Sequence, residues 1–196
     1  AMYSGNLGLS QDLNIVISAA AQLTDLDHLV FVLIGDGASK SALEDQAKSL
    51  DLMNVFFLPY QPKARLQESL SAADLHLLPI RAAALRCLMP SKLYGILASG
   101  TAVLSTAPPE SELARVVVEE QVGINVFPFT ENGLAQAMRN YCHSSSELQR
   151  MGERARSLAA ERYDRTISIA AMQQLLCDLT NTNNPQSFPT ACASEQ

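Results

Sequence analysis

Short apolar runs alternate with amphipathic stretches along most of the chain. The runs are Met2–Gly5, Leu29–Ile34, Asn54–Leu58, Asp74–Pro79, Ala102–Thr106 and Gly123–Phe127. Several are continuous rather than alternating in polarity, as expected of strands buried on both faces of a parallel sheet. Between them, apolar residues recur at helical spacing. Ser10–Leu23 carries Leu13, Val16, Ile17, Ala20 and Ala21 on one stripe. Ser39–Leu50, Lys63–Ala72, Ser91–Ala98, Glu110–Glu120 and Glu131–Tyr141 fill the remaining gaps. This alternation predicts an α/β fold of βαβ units: a doubly wound, Rossmann-like, six-stranded and mostly parallel sheet with helices on both faces.

After residue 143 only helical patterning remains. Ser144-Ser-Ser-Glu147 reads as a capping box, opening a helix over Glu147–Arg162. Arg165–Leu179 reads as a second extra helix, and 180–196 as a polar, frayed tail. The domain therefore covers 1–179. Its first strand starts at Met2 with no lead-in, which fits one domain cut from a longer protein.

Composition narrows the function classes. Of 196 residues, 47% are hydrophobic, enough for a real core without metals or disulfides. The longest strongly apolar run, Leu29–Ile34, is far shorter than the roughly 20 residues a membrane span needs. The net charge is −6, with 7 basic against 9 acidic groups in residues 1–98 and 7 against 11 in 99–196. Neither half is basic, which argues against nucleic acid or an anionic membrane as partner. Cys87, Cys142, Cys177 and Cys192 show no paired spacing and read as reduced thiols of a cytoplasmic protein. His28, His76 and His143 make no metal-ligand spacing with them along the chain, so no metal site is expected.

In a doubly wound sheet, ligands bind beyond the carboxyl ends of the strands. Gly5-Asn6-Leu7-Gly8 follows the first strand there. It reads either as a tight turn or as a loop whose amides approach an anion. Gly35-Asp36-Gly37 starts like a dinucleotide fingerprint, but Lys40 stands where the third glycine belongs, so an NAD site is not expected. The strongest candidate is Met89-Pro90-Ser91-Lys92 opening a short helix that stops at Gly100. Helix dipole, free amides, the Ser91 hydroxyl and Lys92 would converge on one phosphate. The dipole contributes about 0.3–1 kcal/mol and each charge-assisted hydrogen bond about 1.5–3 kcal/mol. A capped helix with a solvated lysine is the plainer alternative. Asp74 and His76 on one strand face read as a satisfied hydrogen bond rather than a metal site. Glu110 and Glu112 read as first-turn acidic residues.

Taken in order, Tyr3-Ser-Gly-Asn-Leu-Gly8, Ile34-Gly-Asp-Gly37, Asn54-Val-Phe-Phe-Leu-Pro59, Ala73-Asp-Leu-His-Leu-Leu-Pro79 and Pro90-Ser-Lys-Leu-Tyr-Gly-Ile-Leu-Ala-Ser-Gly100 resemble a known family. It is the C-terminal, donor-binding domain of group 1 (family 4) retaining glycosyltransferases of GT-B fold, in the branch that builds bacterial surface polysaccharides such as colanic acid. The resemblance implies transfer of a sugar from a UDP- or GDP-type nucleotide sugar to an acceptor hydroxyl. The acceptor would be a sugar or a lipid-linked saccharide, held by an N-terminal domain absent from this chain. It implies no cofactor, usually no metal, and a cytoplasmic location with room for peripheral attachment at the inner membrane.

By that layout Gly5, Asn6, Gly8, Ser91 and Lys92 hold the donor phosphates. Gly37, Tyr60, Gln61, Cys87, Leu88, Met89 and Gly95 lie near the nucleoside or sugar. The chain departs from the family at the Glu-x7-Glu pair, which reads Cys87 and Gly95. It departs again at the basic pair after the first strand, which reads Asn6 with Ser10 or Gln11. No catalytic residue is assigned. Two other readings stay open: another GT-B enzyme such as a sugar epimerase or phosphorylase, and a non-catalytic nucleotide-binding or interaction module of flavodoxin-like type.

Overall fold

A computed structural model of the chain describes residues 1–80 and 89–183. Strands β1 (Met2–Ser4), β2 (Phe31–Ile34), β3 (Val55–Leu58), β4 (Leu75–Leu78), β5 (Ala102–Ser105) and β6 (Gly123–Asn125) form one sheet in the order β3-β2-β1-β4-β5-β6. Every pairing among them is parallel. All six predicted strands are present, trimmed by a residue or two at their ends. The order reverses between β1 and β4, and that reversal is the switch point where doubly wound sheets open a crevice.

Helices α1 (Leu13–Ala21), α2 (Lys40–Ser49), α3 (Leu66–Ser71), α4 (Lys92–Ser99) and α5 (Glu112–Glu119) are the crossovers; α6 (Glu131–Tyr141), α7 (Ser145–Arg162) and α8 (Arg165–Asn183) follow β6. Successive strand side chains point to opposite faces, so the sheet divides the interior in two. Leu75, Leu77, Ala102 and Leu104 pack with Leu13, Ile17 and Leu134 beneath α1 and α6. Leu78 and Val103 pack with Leu93, Leu97, Val117 and Leu158 beneath α4, α5 and α7. Both faces of β4 and β5 are buried throughout, which is why those runs carry no polar alternation. The edge strand β3 does alternate: Phe56 and Leu58 are exposed.

Two helix starts behave as their sequences suggest. Ser111 and Thr130 accept hydrogen bonds from the amides of Ala114 and Gly133. The capping box at Ser144 does not form. The Ser144 hydroxyl donates to Asn140 O, and the Glu147 carboxylate pairs with Arg150 and Arg154. At the other end, α8 runs on to Asn183, past Leu179. Cys142 is a free thiol, but Cys177 is disulfide-bonded, which corrects the reduced-thiol reading at that position. Cys177 lies half-buried on a mostly exposed helix. No helix among the described residues is long and apolar enough to cross a membrane.

Candidate functional site

The carboxyl ends of β1, β2 and β3 are laced together by main-chain hydrogen bonds. Gly5 N donates to Ile34 O, Leu7 N to Asp36 O and Gly35 N to Leu58 O. The loops after β1 and β2 thus run against each other. Gly35 shows the closeness: a Cβ there would lie 1.9 Å from Gly5 O, on a backbone with φ +145°. Only glycine tolerates both the approach and the angle. The same lacing consumes amides that the turn alone would leave free, so Gly5 and Leu7 offer no N–H to a ligand.

The charge at this edge comes from α4. Lys92 extends across the switch point, and its Nζ donates to the Tyr3 hydroxyl at 2.5 Å. The Tyr3 hydroxyl donates in turn to Asn6 O at 2.7 Å. Nζ also lies 4.2 Å from the centroid of the Tyr3 ring, within cation–π range. A Cβ on Gly5 would meet Lys92 Cε and Nζ at 2.4 Å each, so the ammonium rests directly against the Gly5 backbone. Lys92 does not point into bulk solvent. Burial lowers its pKa to about 8, because leaving water disfavours the charged form. The Tyr3 phenol is pushed upward, first by burial and then by Tyr60 nearby, and stays neutral. Among the described residues no carboxylate compensates the Lys92 charge. A half-buried cation held only by a hydroxyl and a ring face is a natural seat for an anion.

Other predicted residues gather around this point. A Cβ on Gly37 would meet Asn6 Oδ1 at 2.5 Å, and one on Gly8 would meet Asn6 Nδ2 at 2.9 Å and Gln11 Oε1 at 3.2 Å. Gln11 Oε1 is buried without a hydrogen-bond partner. Tyr60 leans back over the loop after β2, its hydroxyl donating to Asp36 O at 3.3 Å. Ser91 is exposed at the start of α4, and its hydroxyl is not spent on capping that helix. Met89 is half-buried against the α4–α5–α7 core. Two residues fall apart from the group. Gln61 Nε2 folds onto its own neighbour, Pro59 O, at 3.0 Å. Gly95 is exposed one helical turn along, on the side that faces Leu70 of α3. Cys87 and Leu88 lie outside the described residues.

Two contributors escaped the sequence reading. Tyr3 looked like a strand residue, and the signal for it was a hydroxyl inside an apolar run just ahead of the glycine loop. Asn125 at the end of β6 fixes the loop after β5. Its Oδ1 accepts from Ser105 Oγ at 2.7 Å and Ala107 N at 3.0 Å, and its Nδ2 donates to Ala107 O at 2.9 Å. Away from this edge, His76 is a core histidine as read, with its Nε2 2.9 Å from Leu70 O.

Known proteins share this fold. Over 115 residues the chain is 38% identical to the protein of Escherichia coli (strain K12) named as a colanic acid biosynthesis glycosyl transferase, WcaI; the match covers 59% of this chain and 28% of WcaI. The fold matches sucrose-phosphate synthase from Thermosynechococcus elongatus with a TM-score of 0.79 at 21% identity, over 92% of this chain and 45% of that one. It matches HepE from Anabaena in complex with UDP-glucose with a TM-score of 0.74 at 19% identity, over 92% and 48%. The chain thus spans less than half the length of each of these relatives, and its Rossmann-like sheet corresponds to one half of a GT-B glycosyltransferase. Residues 1–158 match the family described as glycosyl transferases group 1, more than half of the chain, and the chain belongs to that family.

Proposed function

We propose that this domain is the donor-binding half of a sugar-transferring enzyme and grips the diphosphate of a UDP- or GDP-type nucleotide sugar beneath Lys92. The observation that carries the reading is the half-buried Lys92 ammonium, set against Gly5 at the switch point with no carboxylate partner among the described residues. A diphosphate supplies the missing negative charge. It leaves during transfer with more charge than it carries in the donor, so a cation fixed beside it stabilises the departing group. The same ammonium makes a cofactor unnecessary in this reading. The exposed Ser91 hydroxyl and the amino end of α4 add donors. The unpartnered Gln11 Oε1 is an acceptor suited to a donor hydroxyl. The complex of HepE with UDP-glucose supports a nucleotide-sugar ligand for this fold.

The acceptor, a sugar or a lipid-linked saccharide, would be held by a second domain, in the cytoplasm. Calorimetry of the chain with UDP, GDP and ADP tests the proposal. Binding by one of them at micromolar to millimolar Kd is expected, with little transfer by the chain alone. No binding by any of the three, in a folded sample, would reject it.

A further inference from the structure

The opposite edge of the sheet carries a second constellation, independent of the donor reading. His28 lies in the loop between α1 and β2, three residues before β2; Cys142 and His143 lie in the turn between α6 and α7. More than a hundred residues separate them in sequence, yet one ligand atom from each lies within 4.8 Å of the other two. The two imidazole rings sit 4.9 Å apart, inclined by 40°. We propose that His28, Cys142 and His143 form a zinc site that braces the α1–β2 loop to the α6–α7 turn.

The scaffold beside the cluster is already locked. Arg139 grips Asp25 through two hydrogen bonds, at 2.7 and 2.8 Å, and donates to Gln22 O at 2.6 Å. Asp25 lies three residues before His28, and Arg139 three before Cys142. One pair therefore sets both segments in register just upstream of their donors. The side chains differ from this fixed frame in being free to adjust. His28 and His143 are exposed and Cys142 is half-buried. A tetrahedral zinc with bonds of about 2.0–2.3 Å places its ligand atoms about 3.3–3.7 Å apart, so the three donors draw in by rotating side chains alone. Two imidazoles and a thiolate suit a borderline divalent ion and disfavour calcium or magnesium. Three protein ligands leave the fourth position to water. The Cys142 thiol now donates to Arg139 O at 3.2 Å. On binding it loses that proton to solvent while its sulfur takes the metal, and both histidines bind as neutral rings.

The test uses the full chain under reducing conditions. Zn²⁺ is titrated against a chromophoric chelator and Co²⁺ is followed by absorbance. One ion per chain is expected, with a thiolate-to-cobalt charge-transfer band and tetrahedral d–d bands. Cys142→Ser abolishes the charge-transfer band, and His28→Ala and His143→Ala each weaken binding about tenfold or more. On the unsubstituted chain, Zn²⁺ slows alkylation of Cys142 as read by peptide mass, which decides the matter even if a variant misfolds. An octahedral cobalt spectrum without the thiolate band, Zn²⁺ binding undiminished in Cys142→Ser, or alkylation of Cys142 at the same rate with and without Zn²⁺ would each overturn the site.

Discussion

The two edges of the sheet hold different chemistry, assembled in different ways. At the carboxyl edge, glycine loops and a helix start converge, and each is a contiguous stretch of sequence. A single ammonium supplies the charge, resting on Tyr3 and Gly5. At the amino edge, the donors His28, Cys142 and His143 come from segments with no local signature, aligned by the Arg139–Asp25 pair. The carboxyl edge is rigid because backbone packs on backbone. The amino edge is adaptable because side chains at the surface do the meeting. At the carboxyl edge close-packed main chain tolerates little change and a single side chain brings the charge, whereas the donors at the amino edge are surface side chains that can be exchanged without cost to the fold.

Substitutions break the comparison most sharply at Gly35. Gly35→Ala places a Cβ 1.9 Å from Gly5 O on a strained backbone, and should cost about 3 kcal/mol in urea unfolding. His28→Ala at the other edge should stay within about 0.5 kcal/mol of the parent. Next comes ligand affinity. Lys92→Ala should weaken nucleoside-diphosphate binding by about 1.5–3 kcal/mol, roughly ten- to a hundredfold, by calorimetry. Lys92→Met should lose the same affinity while remaining at least as stable as the parent, because it removes a desolvated charge. Cys142→Ser should leave nucleotide affinity unchanged.

The pH dependence sharpens the same contrast. Burial holds the Lys92 pKa at about 8 in the free protein. A bound diphosphate favours the charged amine, so binding takes up a proton as pH rises above that value. Affinity should therefore fall by up to about tenfold per pH unit above pH 8 and level off below it. Calorimetry in buffers of different ionisation enthalpy reads the proton directly. The smallest effect concerns the core beside α3 and α4. His76 is buried, and desolvation lowers its pKa from the ordinary value. The unfolded chain takes up its proton first, so stability is full above about pH 6.5 and drops as pH falls below it, by at most about 1.4 kcal/mol per unit. Urea midpoints between pH 5 and 7 should show this slope in the parent and lose it in His76→Gln.

Much of this was legible in the chain, and the exceptions have particular causes. The strand runs stood out because β1, β2, β4 and β5 lie between two helical layers and must be apolar. The start of α1 was less clear. The pattern began at Ser10, but residues Leu9–Gln11 form a short 3-10 turn, and Asp12 takes a left-handed conformation with φ 46° before the helix opens at Leu13. Ser144 has the right spacing for a capping box, but its hydroxyl donates to Asn140 O and Glu147 pairs with two arginines. The glycine loops were legible as loops. That their amides would be spent on each other was not, because strand order decides which loops are neighbours.

Periodicity and local motif by themselves determined the α/β class and the six strands, and brought Lys92 forward as a candidate. They are written within a few residues of one another, where chain geometry allows few alternatives. Only the tertiary structure decided that Lys92 finds Tyr3, that Asn125 holds the loop after β5, and that two histidines and a cysteine meet at the far edge. Those meetings depend on strand order and helix packing, which juxtapose side chains that no spacing along the chain connects.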